Sequence, residues 1–161
     1  MRRLLSLLLL LLASAALAQA PAPQPLAGKT LGVFFALSVA DVDAMSAWYR
    51  DKLGFRIASH GEAPNKIARF AILEAEGSIV EMIQRSDAKP LSKAVPGAKG
   101  AYEIHGIFKA GFHVADLDAV YKRVKERGIA IAYDLMPAKD VDLRSFTLRD
   151  PEGNLIQFFG K

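Results

Sequence analysis

The chain has no cysteine. No disulfide can brace it, and no lipid can be attached through a cysteine near its start. It has only three histidines, His60, His105 and His113, and their scatter makes no metal-ligand set by spacing. Charge of one sign is also scarce, with 21 basic residues against 17 acidic ones. No basic stripe with interleaved aromatics is present, which argues against a nucleic-acid partner. Nucleophile motifs, glycine-rich phosphate loops and zinc-protease patterns are missing as well. The longest apolar run is short of the roughly 20 residues that span a bilayer.

That run stands at the start. Met1-Arg2-Arg3 is followed by a nearly unbroken leucine stretch from Leu4 to Leu12 and a small-residue segment ending in Ala18-Gln19-Ala20. A basic, an apolar and a small-residue region in this order read as a signal peptide, 1–20, cleaved after about Ala20. The expected location is therefore periplasmic or secreted, with no membrane attachment after cleavage. Removing those 20 residues from 161 leaves 141; removing two arginines from 21 basic residues leaves 19 against 17 acidic, a net charge of +2. Residues 21–30, rich in proline and alanine, read as a flexible tether. Folding is expected from Leu31.

The remainder repeats itself. Val39-Ala40-Asp41-Val42-Asp43-Ala44 returns as Val114-Ala115-Asp116-Leu117-Asp118-Ala119, 75 positions later, and Glu76-Gly77 returns as Glu152-Gly153 at an offset of 76. Two matches in one order at nearly one offset indicate a duplicated supersecondary unit. Each unit reads as strand, helix and three strands. Asp41 and Asp116 cap the helices. Val42, Met45, Trp48 and Tyr49 fall on one helical face, as do Leu117, Val120, Tyr121 and Val124. Gly54 and Gly128 end the helices. Module one covers 31–86, a linker with Pro90, Pro96, Gly97 and Gly100 covers 87–102, and module two covers 103–161. His60, beside Gly61, reads as a loop residue.

Side chains alternate across a strand. In the first strand Val33, Phe35, Leu37 and Val39 make an apolar face for the helix to cover, leaving Phe34, Ala36 and Ser38 opposite. In the matching strand Phe108, Ala110, Phe112 and Val114 are apolar, and Lys109, Gly111 and His113 lie opposite. The small residues Ala36 and Gly111 leave room on this second face. It points either into solvent or into a ligand pocket.

Three features together carry a family resemblance: the duplicated strand-and-helix start, the run Trp48-Tyr49-Arg50-Asp51-Lys52-Leu53-Gly54-Phe55, and Asp150-Pro151-Glu152-Gly153-Asn154. Over 31–161 the chain resembles the vicinal oxygen chelate superfamily of glyoxalase, bleomycin-resistance and extradiol-dioxygenase proteins. The resemblance implies an α+β fold, with two tandem βαβββ modules forming a curved mixed sheet, a half-barrel, around a pocket and helices outside. It also implies four metal-ligand places, which fall at Phe34, Glu81, Lys109 and Gln157. Phenylalanine has no donor atom, and an ammonium has no lone pair. Gln157 offers a weak neutral oxygen, so only Glu81 keeps ligand chemistry. No metal and no other cofactor is expected; a divalent metal is disfavoured.

If those places surround a pocket, Lys109 supplies a positive charge where the family holds a cation. It would pair with Glu81, and Gln157 would bridge them. The expected ligand-binding residues are Phe34, Ser38, Glu81, Lys109, His113 and Gln157. The expected function is an exported protein that binds a small organic molecule between its modules without a metal. The alternative is an enzyme of the lyase or isomerase, dioxygenase or thiol-transferase kind. It would be metal-dependent through Glu81 or metal-independent through the catalytic candidates Glu81, Lys109 and His113. Pairing of subunits in the family adds a homodimer to the expectations. Trp48 and Tyr49 read as core, and Lys122 to Arg127 as a solvated helix face.

Overall fold

The computed structural model describes residues 31–64, 66–138 and 143–161. The expected signal peptide and tether lie outside the described residues. Residues Leu31–Lys161 form one compact unit.

Two copies of one unit build it. In the first, β1 (Phe34–Val39) leads into α1 (Val42–Trp48), followed by β2 (Arg56–Glu62), β3 (Ala68–Ala75) and β4 (Ser78–Arg85). In the second, β5 (Lys109–His113) leads into α3 (Leu117–Glu126), then β6 (Ile131–Ala138), β7 (Leu143–Arg149) and β8 (Leu155–Gly160). The linker carries a four-residue helix, α2 (Leu91–Ala94), and a 3-10 turn at Ala101–Glu103. The two sheets have matching order, β1-β4-β3-β2 and β5-β8-β7-β6, with the first pair parallel and the rest antiparallel. This is the expected α+β architecture of two tandem βαβββ modules. No ladder of hydrogen bonds joins the two sheets among the described residues. No helix there is long and apolar enough to cross a membrane.

The duplication extends to side chains. Asp41 accepts from the backbone N–H groups of Asp43 and Ala44, and Asp116 accepts from that of Ala119, so each helix begins on a carboxylate cap. Within the first turn of each helix an aspartate meets an arginine of the third strand: Asp43 with Arg69 at 2.7 Å and Asp118 with Arg144 at 2.8 Å. Both partners are displaced by the same 75 positions. These pairs are exposed and add little stability; they report common descent of the two halves. Past α1 the chain widens into a π-turn at Tyr49–Leu53, which ends on Gly54 in the left-handed region at φ 83°.

Each sheet buries one face. Val80, Met82, Ala71 and Leu73 pack under Val42, Met45 and Tyr49 in module one. Phe146, Leu148, Ile156 and Phe158 pack under Leu117 and Val124 in module two. The two cores meet each other: the rings of Phe35 and Phe112 lie 5.7 Å apart, those of Phe55 and Phe112 6.0 Å apart. Trp48 and Leu53 of module one pack on the core of module two. Tyr49 and Trp48 are thus core residues, as expected. His60 is not in a loop. It lies inside β2 opposite Ala71 with its side chain exposed. Gly61 does not break the strand, because its missing side chain makes space for Phe70, whose ring would be 3.2 Å from an added Cβ.

Candidate functional site

The modules face one another with their helix-bearing sides, so their other faces turn outward. Strand pairing fixes who shares each outward face. In module one Phe34 stands opposite Ile79, Ala36 opposite Glu81 and Ser38 opposite Ile83, with Ile72 next to Glu81. Around Glu81 this surface is apolar, and Glu74, opposite Ile79 and paired with Arg56, stands farther along it. The surface is open: Phe34 is 62% exposed, and Ala36 and Ser38 are exposed too. In module two Gly111 pairs with Gln157, Gln157 with Thr147, and His113 with Phe159. Lys109 and His113 are exposed there, and Tyr133 and Met136 continue the open surface at 43% and 48% exposure.

The six residues singled out from the sequence are divided between the two modules, although Ser38 shares a cleft with Phe108 and Tyr133 of module two. Phe34, Ser38 and Glu81 belong to module one; Lys109, His113 and Gln157 belong to module two. Lys109 makes no ion pair with Glu81 among the described residues. Its ammonium lies 5.2 Å from the ring of its neighbour Phe108. Gln157 is buried and donates to the hydroxyl of Ser145 at 3.0 Å, instead of bridging a Lys109–Glu81 pair. The room expected at Gly111 is also taken. A Cβ there would stand 2.1 Å from the backbone oxygen of Gln157, so glycine is required by the close approach of β8. The four family ligand places do not fit a transition metal: one has no donor, one is an ammonium and one is an amide. Their only carboxylate stands on a different module from the amide.

Two clefts flank these faces. One, of about 410 Å³, lies between the linker and module two. Ser38, Tyr102, Phe108, Tyr133 and Arg149 line it. The other, of about 330 Å³, lies on the helix side between the modules and includes His113 in its wall.

The residues of Asp150-Pro151-Glu152-Gly153-Asn154 have a role that alternation does not reveal. The turn clamps module two onto the start of α1. Glu152 accepts from the backbone N–H of Ala40 with both carboxylate oxygens at 2.9 Å and from that of Asp41 at 3.3 Å. Asp150 is buried, and accepts from Glu152 N, Asn154 N, Asn154 Nδ2 and the hydroxyl of Tyr49. Burial raises its pKa above the ordinary carboxylate value, against the opposing pull of those donors. The Tyr49 phenol is pushed far upward, first by burial and then by the charge of Asp150. The sequence signal for this clamp was a break in the repeat: Tyr49 aligns with Val124 and Asp150 with Glu74.

Comparison with known proteins agrees with this architecture. A model of the Glyoxalase/Bleomycin resistance protein/Dioxygenase superfamily matches residues 33–158. Bleomycin resistance proteins of Geobacillus stearothermophilus and Staphylococcus aureus are 30% identical to the chain over 127 residues, covering 77% of it and 92% of their own length. Among solved structures, TioX from Micromonospora sp. ML1 is 28% identical, with a TM-score of 0.58 over 80% of this chain and 97% of its own. A glyoxalase family protein from Enterococcus faecalis shares the fold at 20% identity, with a TM-score of 0.60 over 80% and 92%.

Proposed function

The chain belongs to the glyoxalase/bleomycin resistance protein/dioxygenase superfamily, and from that membership we propose that it binds a small organic molecule without a transition metal. The ligand lies on the outward face of module one, and module two of a second copy closes over it. The observation that carries this reading is the open apolar face around Glu81, with Phe34 62% exposed at its edge. A soluble chain seldom leaves so large an aromatic on a continuous apolar strand face unless something covers it. The two outward faces also complement each other in charge: module one offers Glu81, and module two offers Lys109. Two copies related by a two-fold axis would build two such sites.

Binding is favoured over catalysis because three of the four family ligand places hold a phenylalanine, an ammonium and a neutral amide. Bleomycin, the antibiotic in the relatives' name, is the first ligand to try. The leader-like residues 1–20 support action outside the cytoplasm, where a binder would hold a toxic compound before it enters.

Light scattering on the purified chain is expected to give a dimer, and Phe34→Glu a monomer. A thermal-shift screen led by bleomycin should find a stabilising ligand, whose affinity falls about 10-fold in Glu81→Gln and in Lys109→Ala. A monomer that binds its ligand unaffected by either substitution would sink the shared site. Near-stoichiometric bound metal that disappears in Glu81→Ala would overturn the metal-free reading.

A further inference from the structure

The two modules are related by a displacement of 75 residues, yet the two ends of their interface differ. Lys52 and Arg127 occupy equivalent positions, and each donates from its side chain to the other's backbone oxygen, at 2.8 and 2.6 Å. This reciprocal pair marks the middle of the interface. On one side of it the space is filled: Trp48 and Tyr49 pack in, and the Tyr49 hydroxyl meets Asp150. On the other side the equivalents of Trp48 and Tyr49 are Arg123 and Val124. Valine is far smaller than tyrosine, and the exposed Arg123 does not fill the space. What remains is the cleft of about 330 Å³.

Its chemistry is specific. Leu53, Phe55, Phe112, Val120, Val124 and Phe158 form the apolar lining, with three aromatic rings among them. Lys52, Arg123 and Arg127 stand in the wall, against the single carboxylate of Glu76. Among the described residues Lys52 and Arg127 bond only to backbone oxygens, and no acid there pairs with their charge. Arg123 has no partner among the described residues. Where the filled end has a ring whose hydroxyl meets an acid, the open end has space for a ring and a base beside it. The volume is within the range of small-molecule pockets.

We propose that this cleft binds an aromatic carboxylate, with its ring among Phe55, Phe112 and Phe158 and its carboxylate on Arg123. A guanidinium suits this task, because it can meet a carboxylate with two parallel hydrogen bonds. Of the residues on the outward faces named above only His113 also lines this cleft, and the ring site among Phe55, Phe112 and Phe158 does not depend on whether a second copy covers those faces.

The test uses 2-naphthoate and its neutral counterpart 2-naphthylmethanol, titrated into the full chain by calorimetry and by amide NMR. Saturable one-to-one binding of 2-naphthoate is expected, with the alcohol at least about 10-fold weaker. The perturbed amides should lie at 53–55, 112–114 and 120–129. Arg123→Gln should weaken 2-naphthoate about 10-fold, a loss of about 1.4 kcal/mol, and leave the alcohol unchanged. Arg123 is exposed, so this variant should melt where the wild type does. Val124→Tyr, which restores the residue of the filled end, should abolish binding of both. The proposal is overturned by an absence of saturable binding, by equal affinity for acid and alcohol, by indifference to Arg123→Gln, or by shifts confined to 34–38 and 79–83.

Discussion

The hydroxyl of Tyr49, in the π-turn of module one, donates to Asp150, at the last hairpin of module two, across 101 positions of sequence. Both side chains are buried. The bond is long, at 3.3 Å, yet it joins the two halves where their cores meet. Around it Asp150 collects three further donors, all from its own turn. The Asp-Pro-Glu-Gly-Asn turn is thereby both a hairpin and a fastener.

Tyr49→Phe removes one of four donors from a buried carboxylate and leaves the ring in place. A loss of about 1 kcal/mol is expected, read from the urea midpoint. Because this bond helps hold the proton off Asp150, the same substitution should raise the Asp150 pKa further. A carboxyl-detected NMR titration would show it, and an unchanged midpoint would contradict the assignment.

Asp150 also sets a pH dependence whose sign can be worked out. Its folded-state pKa is raised, mainly by burial, so the folded chain binds a proton that the unfolded chain releases. Its contribution to stability therefore grows as pH falls through the raised value toward the unfolded value of about 3.9. Asp118, whose pKa is lowered by Arg144, acts in the opposite direction, weakly because it is exposed. Urea midpoints measured against pH should lose the rising component on acidification in Asp150→Asn. That variant should also be about 1–3 kcal/mol less stable near neutrality, since an amide nitrogen cannot accept from the donors around it.

Glu152→Ala strips the acceptor from two backbone N–H groups at the start of α1. A cost of about 1–2 kcal/mol is expected, comparable with losing a helix cap. Glu76, at the equivalent place in module one, has no such partners among the described residues, and Glu76→Ala should change stability by less than about 0.5 kcal/mol. Equal effects in the two variants would show that the fastening is not one-sided.

Gly111→Ala should be among the most damaging single changes. Its Cβ would stand 2.1 Å from the Gln157 backbone oxygen, and the parallel strands β5 and β8 would have to separate. Several kcal/mol, or failure to fold, is expected. Recovery of a folded chain with an unchanged melting temperature would refute the close approach.

Much of this was legible in the sequence, for identifiable reasons. Aspartate before an apolar helical pattern marks a cap, and both Asp41 and Asp116 act as one. Alternation told Phe35 from Phe34 and Phe112 from Gly111, because each strand has two faces. What alternation cannot tell is which face meets the other module. Phe35 and Phe112 come together across the interface, so Phe34, Glu81 and Lys109 lie on the opposite faces, where Lys109 sits by the Phe108 ring and Gln157 bonds Ser145 instead of forming the expected cluster. The loop reading of His60 came from treating Gly61 as a breaker, when it serves as a seat for the Phe70 ring. The fastener at Asp150 was written in the sequence only as a mismatch between repeats, which a search for similarities passes over.

The crossed bonds of Lys52 and Arg127 have a consequence for how such a chain can arise. Each uses a basic side chain to reach a backbone oxygen, and that acceptor is present whatever residue carries it. The arrangement would work equally well between two identical half-length chains, each supplying the same lysine or arginine to its mate. Fusing two such halves end to end would need no new contact at that point. It would only free each copy to drift, one toward tyrosine and a seal, the other toward valine and a hollow.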